Sequence, residues 1–329
     1  MPFRTFKQLA NAVDDGGLWY SHFIKTSGPV SVGAGRWCDL SMGSGTPKYN
    51  AYVGNQTTAT PLVGAGNDGI YVGPTPASGK TKHLLRLSAA TTSTTLIPAY
   101  LLLADYLLHY PLIDGDSLDQ QDMDNAQTLP RYATGEGVQC ALVCTTPMSV
   151  NAGVTVTYTN SKGTTGQTTT FNVIASSVAG GVVSASNTSA VVGSVSPFIP
   201  LANGDFGIRS IQSVTFLAGA GGFVAAVLMR PLVGLNLYEA ATMSEVNLWN
   251  HHAKLPRVYD GAYLHFLYLT AQSGTPATLR GQVCAERGVA SVVGAAAAVA
   301  DDDADRPGGD RQRRVFPVSA ATATATVRG

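Results

Sequence analysis

Charge is what this sequence has least of. Asp, Glu, Lys and Arg make up only 13% of the 329 residues, about half the usual share. The 21 basic residues cancel the 21 acidic ones to a formal net charge of zero. Without a positive excess there is no field to gather a phosphate backbone, and without an acidic excess nothing holds the chain open by self-repulsion. Direct nucleic-acid binding is therefore not expected. Cysteine is also scarce. Cys38, Cys140, Cys144 and Cys284 are too few to staple a chain of this length, and no two of them form a CxxC pair, so no disulfide framework follows. Long apolar runs are missing as well: LLLADYLL and GFVAAVLM fall well short of the ~18 residues that cross a bilayer. The opening MPFRTFKQLANAVDDG lacks the apolar stretch of a secretory signal. These absences predict a protein made in the cytosol, soluble and without a membrane partner.

Recognisable catalytic motifs are absent too. The string GPTPASGKT, residues 73–81, ends like a phosphate-binding loop, but five residues separate Gly73 from Gly79 where that loop needs four. Pro74 and Pro76 also remove N–H donors that would cradle phosphate. The acidic run DGDSLDQQDMDN places Asp114, Asp116, Asp119, Asp122 and Asp124 close together, yet it lacks the central Gly and closing Glu of a calcium-binding loop. Turn capping by those carboxylates is the expected role, and this loop is the first place to look for a cation. Of six histidines only His251 and His252 are adjacent, and neighbours on a strand or helix rarely reach one metal ion. Neither HExxH nor GxSxG occurs. An enzyme is not expected, and no cofactor is implied.

With 45% hydrophobic residues and so few charges, the exterior must be built from Thr, Ser, Asn, Gly and Ala. A neutral surface of that kind tends to self-associate. Apolar residues at Phe3, Phe6, Leu9, Ala10 and Val13 recur at helical spacing, predicting a short N-terminal helix. Beyond it the punctuation is that of β-structure, with short apolar pieces such as AYVG (51–54), GIYVG (69–73) and HLLRLS (83–88) between Gly, Pro, Thr and Ser. Residues 96–113, LIPAYLLLADYLLHYPLI, have no readable period and suit a buried helix or buried strands; the alternation of Tyr106, Leu108 and Tyr110 with Leu107, His109 and Pro111 favours a strand running through the core. VTVTYT and TTTFNVI, joined by NSKGTTGQ, predict a hairpin over residues 154–174. Further strands are expected at VVSAS (182–186), AVVGSV (190–195), IRSIQSVTFL (208–217) and FVAAVLM (223–229), while residues 237–252 suit a short helix or long loop. Residues 258–272 contain a strand covered on both faces. Cys140 and Cys144 share one face of a strand as small buried hydrophobes rather than metal ligands.

The fold class expected is mainly β, an antiparallel sandwich or jelly-roll-like body with a short N-terminal helix and an extended C-terminal arm. Residues 1–150 carry the helix and a first β-rich region, residues 151–284 the strands that complete the body, and residues 285–329 an Ala-rich extension. Its final VFPVSAATATATV alternates well enough to add a strand to a sheet edge.

The phrases GRWCDLSMGSGTPKYNAYVG, TPLVGAGNDGIYVGP, TKHLLRLS, YPLIDGD, LPRYATGEGVQ and PRVYDGAYL resemble those of tailed-bacteriophage virion structural proteins, over about residues 1–284. The resemblance implies a virion component without chemistry of its own, most like a capsid decoration or cement protein. A major capsid protein would need a long spine helix that is not predicted here. The implied partners are a major capsid protein and copies of the chain itself, arranged as a trimer. Phe3, Phe6 and Leu9 at one end and Val315, Phe316 and Val318 at the other are the candidate inter-subunit contacts. The alternative is a tail, baseplate or host-surface binding module, with Tyr49, Tyr52 and Tyr71 exposed to line a carbohydrate or receptor site.

Overall fold

Residues 99–114 become one uninterrupted strand because both of its faces have cover and the run therefore needs no polar side. A computed structural model describes residues 17–28, 33–64, 68–76, 80–184, 196–251, 255–274, 276 and 278–290, which belong to one compact unit. The expected N-terminal helix, the contact residues Phe3, Phe6, Leu9, Val315, Phe316 and Val318, and the C-terminal arm beyond residue 290 lie outside the described residues.

In chain order the strands are β1 (Leu18–Lys25), β2 (Trp37–Asp39), β3 (Gly45–Thr46), β4 (Thr60–Pro61), β5 (Lys80–Thr91), β6 (Ala99–Asp114), β7 (Gln121–Asp122) and β8 (Gln139–Thr146). There follow β9 (Ala152–Asn160), β10 (Gln167–Val173), β11 (Ile208–Phe216), β12 (Phe223–Leu237), β13 (Ser244–Asn247), β14 (Arg257–Val258), β15 (Tyr263–Thr270) and β16 (Leu279–Ala290). All named strand pairs are antiparallel. One sheet runs β13-β5-β16-β1-β3 with β14 beside β5; a second runs β10-β9-β11-β7; a third runs β2-β15-β6-β12-β8 with β4 beside β6. Strands from both halves of the sequence interleave: β12 lies between β6 and β8, and β16 between β5 and β1. The chain is thus mainly β, with antiparallel sheets, as its sequence predicts.

The third sheet is shared by two cores. At one end of β6, Leu101 and Leu103 pack with Leu84, Leu87, Val283 and Phe23 of the first sheet. Toward the other end, Leu108 and Tyr110 pack with Val154, Val156, Ile211 and Val214 of the second. A register shift between β6 and β12 at Tyr106 and Leu108 restores the alternation after Leu107, so both sets of side chains stay on one face. The opposite face carries Ala104, Tyr106, Val143, Val227 and Leu267, closed over by Trp37, Met42, Tyr52 and Leu62.

Local expectations meet the structure unevenly. The hairpin forms as β9 and β10, paired from Gln167↔Tyr158 to Val173↔Ala152. Residues 237–252 give the short strand β13 followed by one helical turn, Leu248–His251. Strand 223–229 is longer than its apolar run implies, continuing through Arg230 and Pro231 to Leu237. Pro231 is tolerated because it sits at a register shift, where the ladder loses no donor it needs. AYVG and GIYVG are not strands but loops. Tyr52 has φ +50, outside the β region, and Ile70 and Val72 are buried as loop anchors. VVSAS forms isolated bridges at Val182 and Ser184 rather than a strand, and residues 185–195 lie outside the described residues.

Candidate functional site

The residues singled out in sequence fall mostly into structural roles. Cys140 and Cys144 both point from β8 into the core that holds Leu142. All four cysteines are free and buried, and burial pushes each thiol up. In the acidic loop the carboxylates cap turns. Asp114 Oδ1 accepts from the Asp116 amide at 2.9 Å, Asp116 Oδ1 from the Gly221 amide at 2.8 Å, and Asp124 Oδ1 from the Ala126 amide at 2.9 Å. Among the described residues no three His, Cys, Asp or Glu side chains gather as metal ligands, and no helix is long and apolar enough to cross a membrane.

The sequence reading missed the polar groups buried between the layers. Asp39 is fully buried at the end of β2. It accepts from the Ser41 amide at 2.8 Å, the Tyr106 hydroxyl at 3.0 Å, and the Tyr52 hydroxyl. Tyr52 was expected as an exposed ligand-binding ring. It is instead turned inward by its positive φ, and its hydroxyl also shares a 2.9 Å bond with Ser41 Oγ. Burial pushes the Asp39 carboxyl up, against the pull of these hydrogen bonds. Lys25, equally buried on β1, donates to the carbonyls of Gly43 at 2.6 Å and Pro47 at 2.9 Å. Burial lowers its ammonium to about 8, with Asp39 drawing it the other way. His265 is buried with neither ring nitrogen hydrogen-bonded, and burial together with the Lys25 charge holds its pKa well below the usual range. It is a neutral ring packed beside Tyr263 and Tyr106, at centroid distances of 5.5 and 5.9 Å.

A second buried cluster ties the central strand to the loop before β8. Arg131 grips Asp105 of β6 with two parallel bonds, Nε to Oδ2 at 2.9 Å and Nη2 to Oδ1 at 2.7 Å. Nη2 also donates to the carbonyls of Leu62 and Tyr106, and the Tyr263 amide donates to Asp105 Oδ1 at 3.0 Å. Burial raises the Asp105 carboxyl and Arg131 pulls it back. The two parallel bonds give the fork-on-carboxylate geometry of the strongest ion pairs. Asp105 inside LLLADYLL was a readable sign that a buried charge needs a partner. Nothing in the spacing named Arg131 as that partner.

Outside, the exposed large side chains are aromatic and aliphatic. Tyr20 and Ile24 stand on one face of β1, Tyr49 and Tyr71 are about half exposed, and Val53, Phe206 and Tyr238 project furthest. Strand β10, QTTTFNV, ends the second sheet, and apart from the bridge Val173↔Ser184 it has no neighbour on its outer side among the described residues. It carries no charge and no proline.

Two predictions follow from the buried groups. Asp105→Asn leaves the Arg131 guanidinium uncompensated, and unfolding in urea should show a loss of about 3–5 kcal/mol. Asp122→Asn, at an exposed side chain on β7, should stay within about 0.5 kcal/mol of the parent; equal effects would refute the structural weight given to the ion pair. The second concerns His109 on β6, which burial pulls down to about 4. An unfolded imidazole titrates near 6.5, so as pH falls from 6.5 to 4 the unfolded chain takes up the proton first and the fold loses stability. The free-energy gap between His109→Gln and the parent, measured at pH 7 and pH 4, should move by about 3 kcal/mol in favour of the variant. Parallel curves would mean that His109 is not held neutral.

No protein-family model and no curated protein matches this chain. Among solved structures, the chain is similar to those titled "Structure of infectious bursal disease virus Gt strain", at 12% identity, and "Crystal structure of infectious bursal disease virus VP2 subviral particle", at 10% identity. Each alignment covers 82% of this chain and 80% of the other, with a TM-score of 0.15. A superposition that slight assigns neither a fold family nor a function.

Proposed function

We propose that the chain is a non-enzymatic virion structural protein, one that decorates or cements a tailed-phage capsid by repeated contacts with a major capsid protein and with copies of itself in a trimer. The observation that carries this reading is the exterior. A β-built body with few charges shows Tyr20, Ile24, Phe206 and Tyr238 to solvent. Aromatic residues are enriched and Lys and Glu depleted where proteins meet proteins. The segment VFPVSAATATATV, residues 315–327, alternates as a strand that adds to a neighbour's sheet does. The resemblance of residues 1–284 to tailed-phage virion proteins supports the same reading.

Symmetry makes the energetics workable. Each contact can be modest, because a subunit held at several points on a shell dissociates only when all of them open together. A stained gel of purified virions should show hundreds of copies per particle, whereas a dozen or fewer would move the chain to a tail tip. Deleting residues 301–329 should leave a folded, soluble body while lowering incorporation into particles about tenfold. Full incorporation of the truncated chain would remove the role given to the arm.

A further inference from the structure

A cleft of about 330 Å³ opens between residues 68–75 and the turn at residues 259–262, a size within the range of small-ligand sites. Its walls are fixed by backbone contact. The Gly64 amide donates to Gly261 O at 2.9 Å and the Ile70 amide to Leu264 O at 3.0 Å. A side chain on Gly64 would meet Ala262 O at 2.4 Å, and Gly69, at φ +84, passes as closely over β15. The loop cannot lift away without breaking these bonds, so the cleft is formed before any ligand arrives.

Its floor is a charged side chain. Lys82 is 4% exposed, and its ammonium donates to Gly73 O at 3.3 Å and pairs with Asp260 Oδ1 at 2.8 Å. An ammonium has three N–H bonds, and these two contacts engage two of them. Asp260 is about half exposed and keeps acceptor sites open toward the cleft. At the rim, Asp68 is paired with Lys48 at 2.5 Å. Two cations thus balance two carboxylates, leaving a site rich in hydrogen-bonding groups but without net charge, which gives no advantage to a phosphate or an amine.

One wall is an aromatic face. Tyr71 is 52% exposed, held edge-to-face by Trp19 at 5.6 Å, while the Ser21 hydroxyl donates to the Tyr71 carbonyl. Trp19 lies against Gly73 where a Cβ would sit, which fixes the indole and through it the tyrosine. A rigid, exposed ring beside a neutral set of hydrogen-bond donors and acceptors suits a ligand with one apolar C–H face and a girdle of hydroxyl groups.

We propose that this cleft binds a neutral saccharide, with a pyranose ring stacked on Tyr71 and its hydroxyls shared between the Lys82 ammonium and the Asp260 carboxylate. The function requires no covalent step and holds whether the chain sits on a shell or a tail. The test is saturation-transfer NMR and titration calorimetry of the full chain against neutral tetrasaccharides of glucose, galactose, mannose and N-acetylglucosamine, with inorganic phosphate as comparison. At least one tetrasaccharide should bind. Tyr71→Ala and Asp260→Ala should each weaken it tenfold or more, while Phe206→Ala, an exposed ring elsewhere, should leave it unchanged. Tyr71 and Asp260 are surface residues, and an unaltered melting temperature will show that the variants remain folded. No binding across the four sugars, binding indifferent to Tyr71→Ala, or phosphate bound in preference would each overturn the proposal.

Discussion

The antiparallel pairing of β6 with β12 is the constraint from which the other layers follow. These are the long strands of the third sheet, with Ala99–Asp114 lying against Phe223–Leu237. Their shared length lets one sheet serve two cores, the first sheet closing over Leu101 and Leu103 and the second over Leu108 and Tyr110. The bulges between them are what keep the buried face buried after the register moves by one residue. Were the strands to pair without that shift, Leu108 and Tyr110 would turn to the opposite face and the second sheet would lose its partner.

A strand covered on both sides has nowhere to put a charge, yet the packed sheets hold several. Asp105 is answered by Arg131, Asp39 by two tyrosine hydroxyls and an amide, and Lys25 by two carbonyls. Each bond set joins elements distant in sequence, so the polar groups specify which loops close over which strands. Burial with satisfied partners costs little beyond an apolar substitute, whereas loss of one partner is expensive. Lys25, Asp39, Lys82, Asp105, Arg131 and Glu286 are buried, and with so few charges in the chain the exterior is built largely of uncharged side chains, exposed aromatics among them. That division is the physical ground for reading the molecule as one that works by contact with other molecules.

What could be read from the sequence is what short-range pattern determines. The β9–β10 hairpin shows period-two alternation around a polar loop, and LLLADYLL showed a core strand by its lack of any polar side. Capping by Asp114, Asp116 and Asp124 was legible because turn chemistry is local. Loops that bury apolar residues defeated the pattern: Ile70 and Val72 look like strand residues but anchor a loop whose hydrogen bonds go to Gly261 and Leu264. Tyr52 was misplaced for a related reason, since only the fold reveals that a left-handed backbone turns its ring onto Asp39. The strand FVAAVLM was expected to end at Met229, and its continuation through Pro231 depends on a register shift against β6. The Lys82–Asp260 pair, 178 positions apart in number, left no trace in spacing. The candidate contacts at the two termini fall outside the described residues.

Native-state hydrogen exchange tests most directly whether β6 and β12 carry the rest. Amides of residues 101–110 and 224–235 should be the slowest in the molecule, exchanging only through global unfolding, while those on β1 and β10 open earlier. If β10 or β1 proved the best protected, or if β6 exchanged through a local opening while the first sheet stayed closed, the shared central pair would not be what holds the layers together.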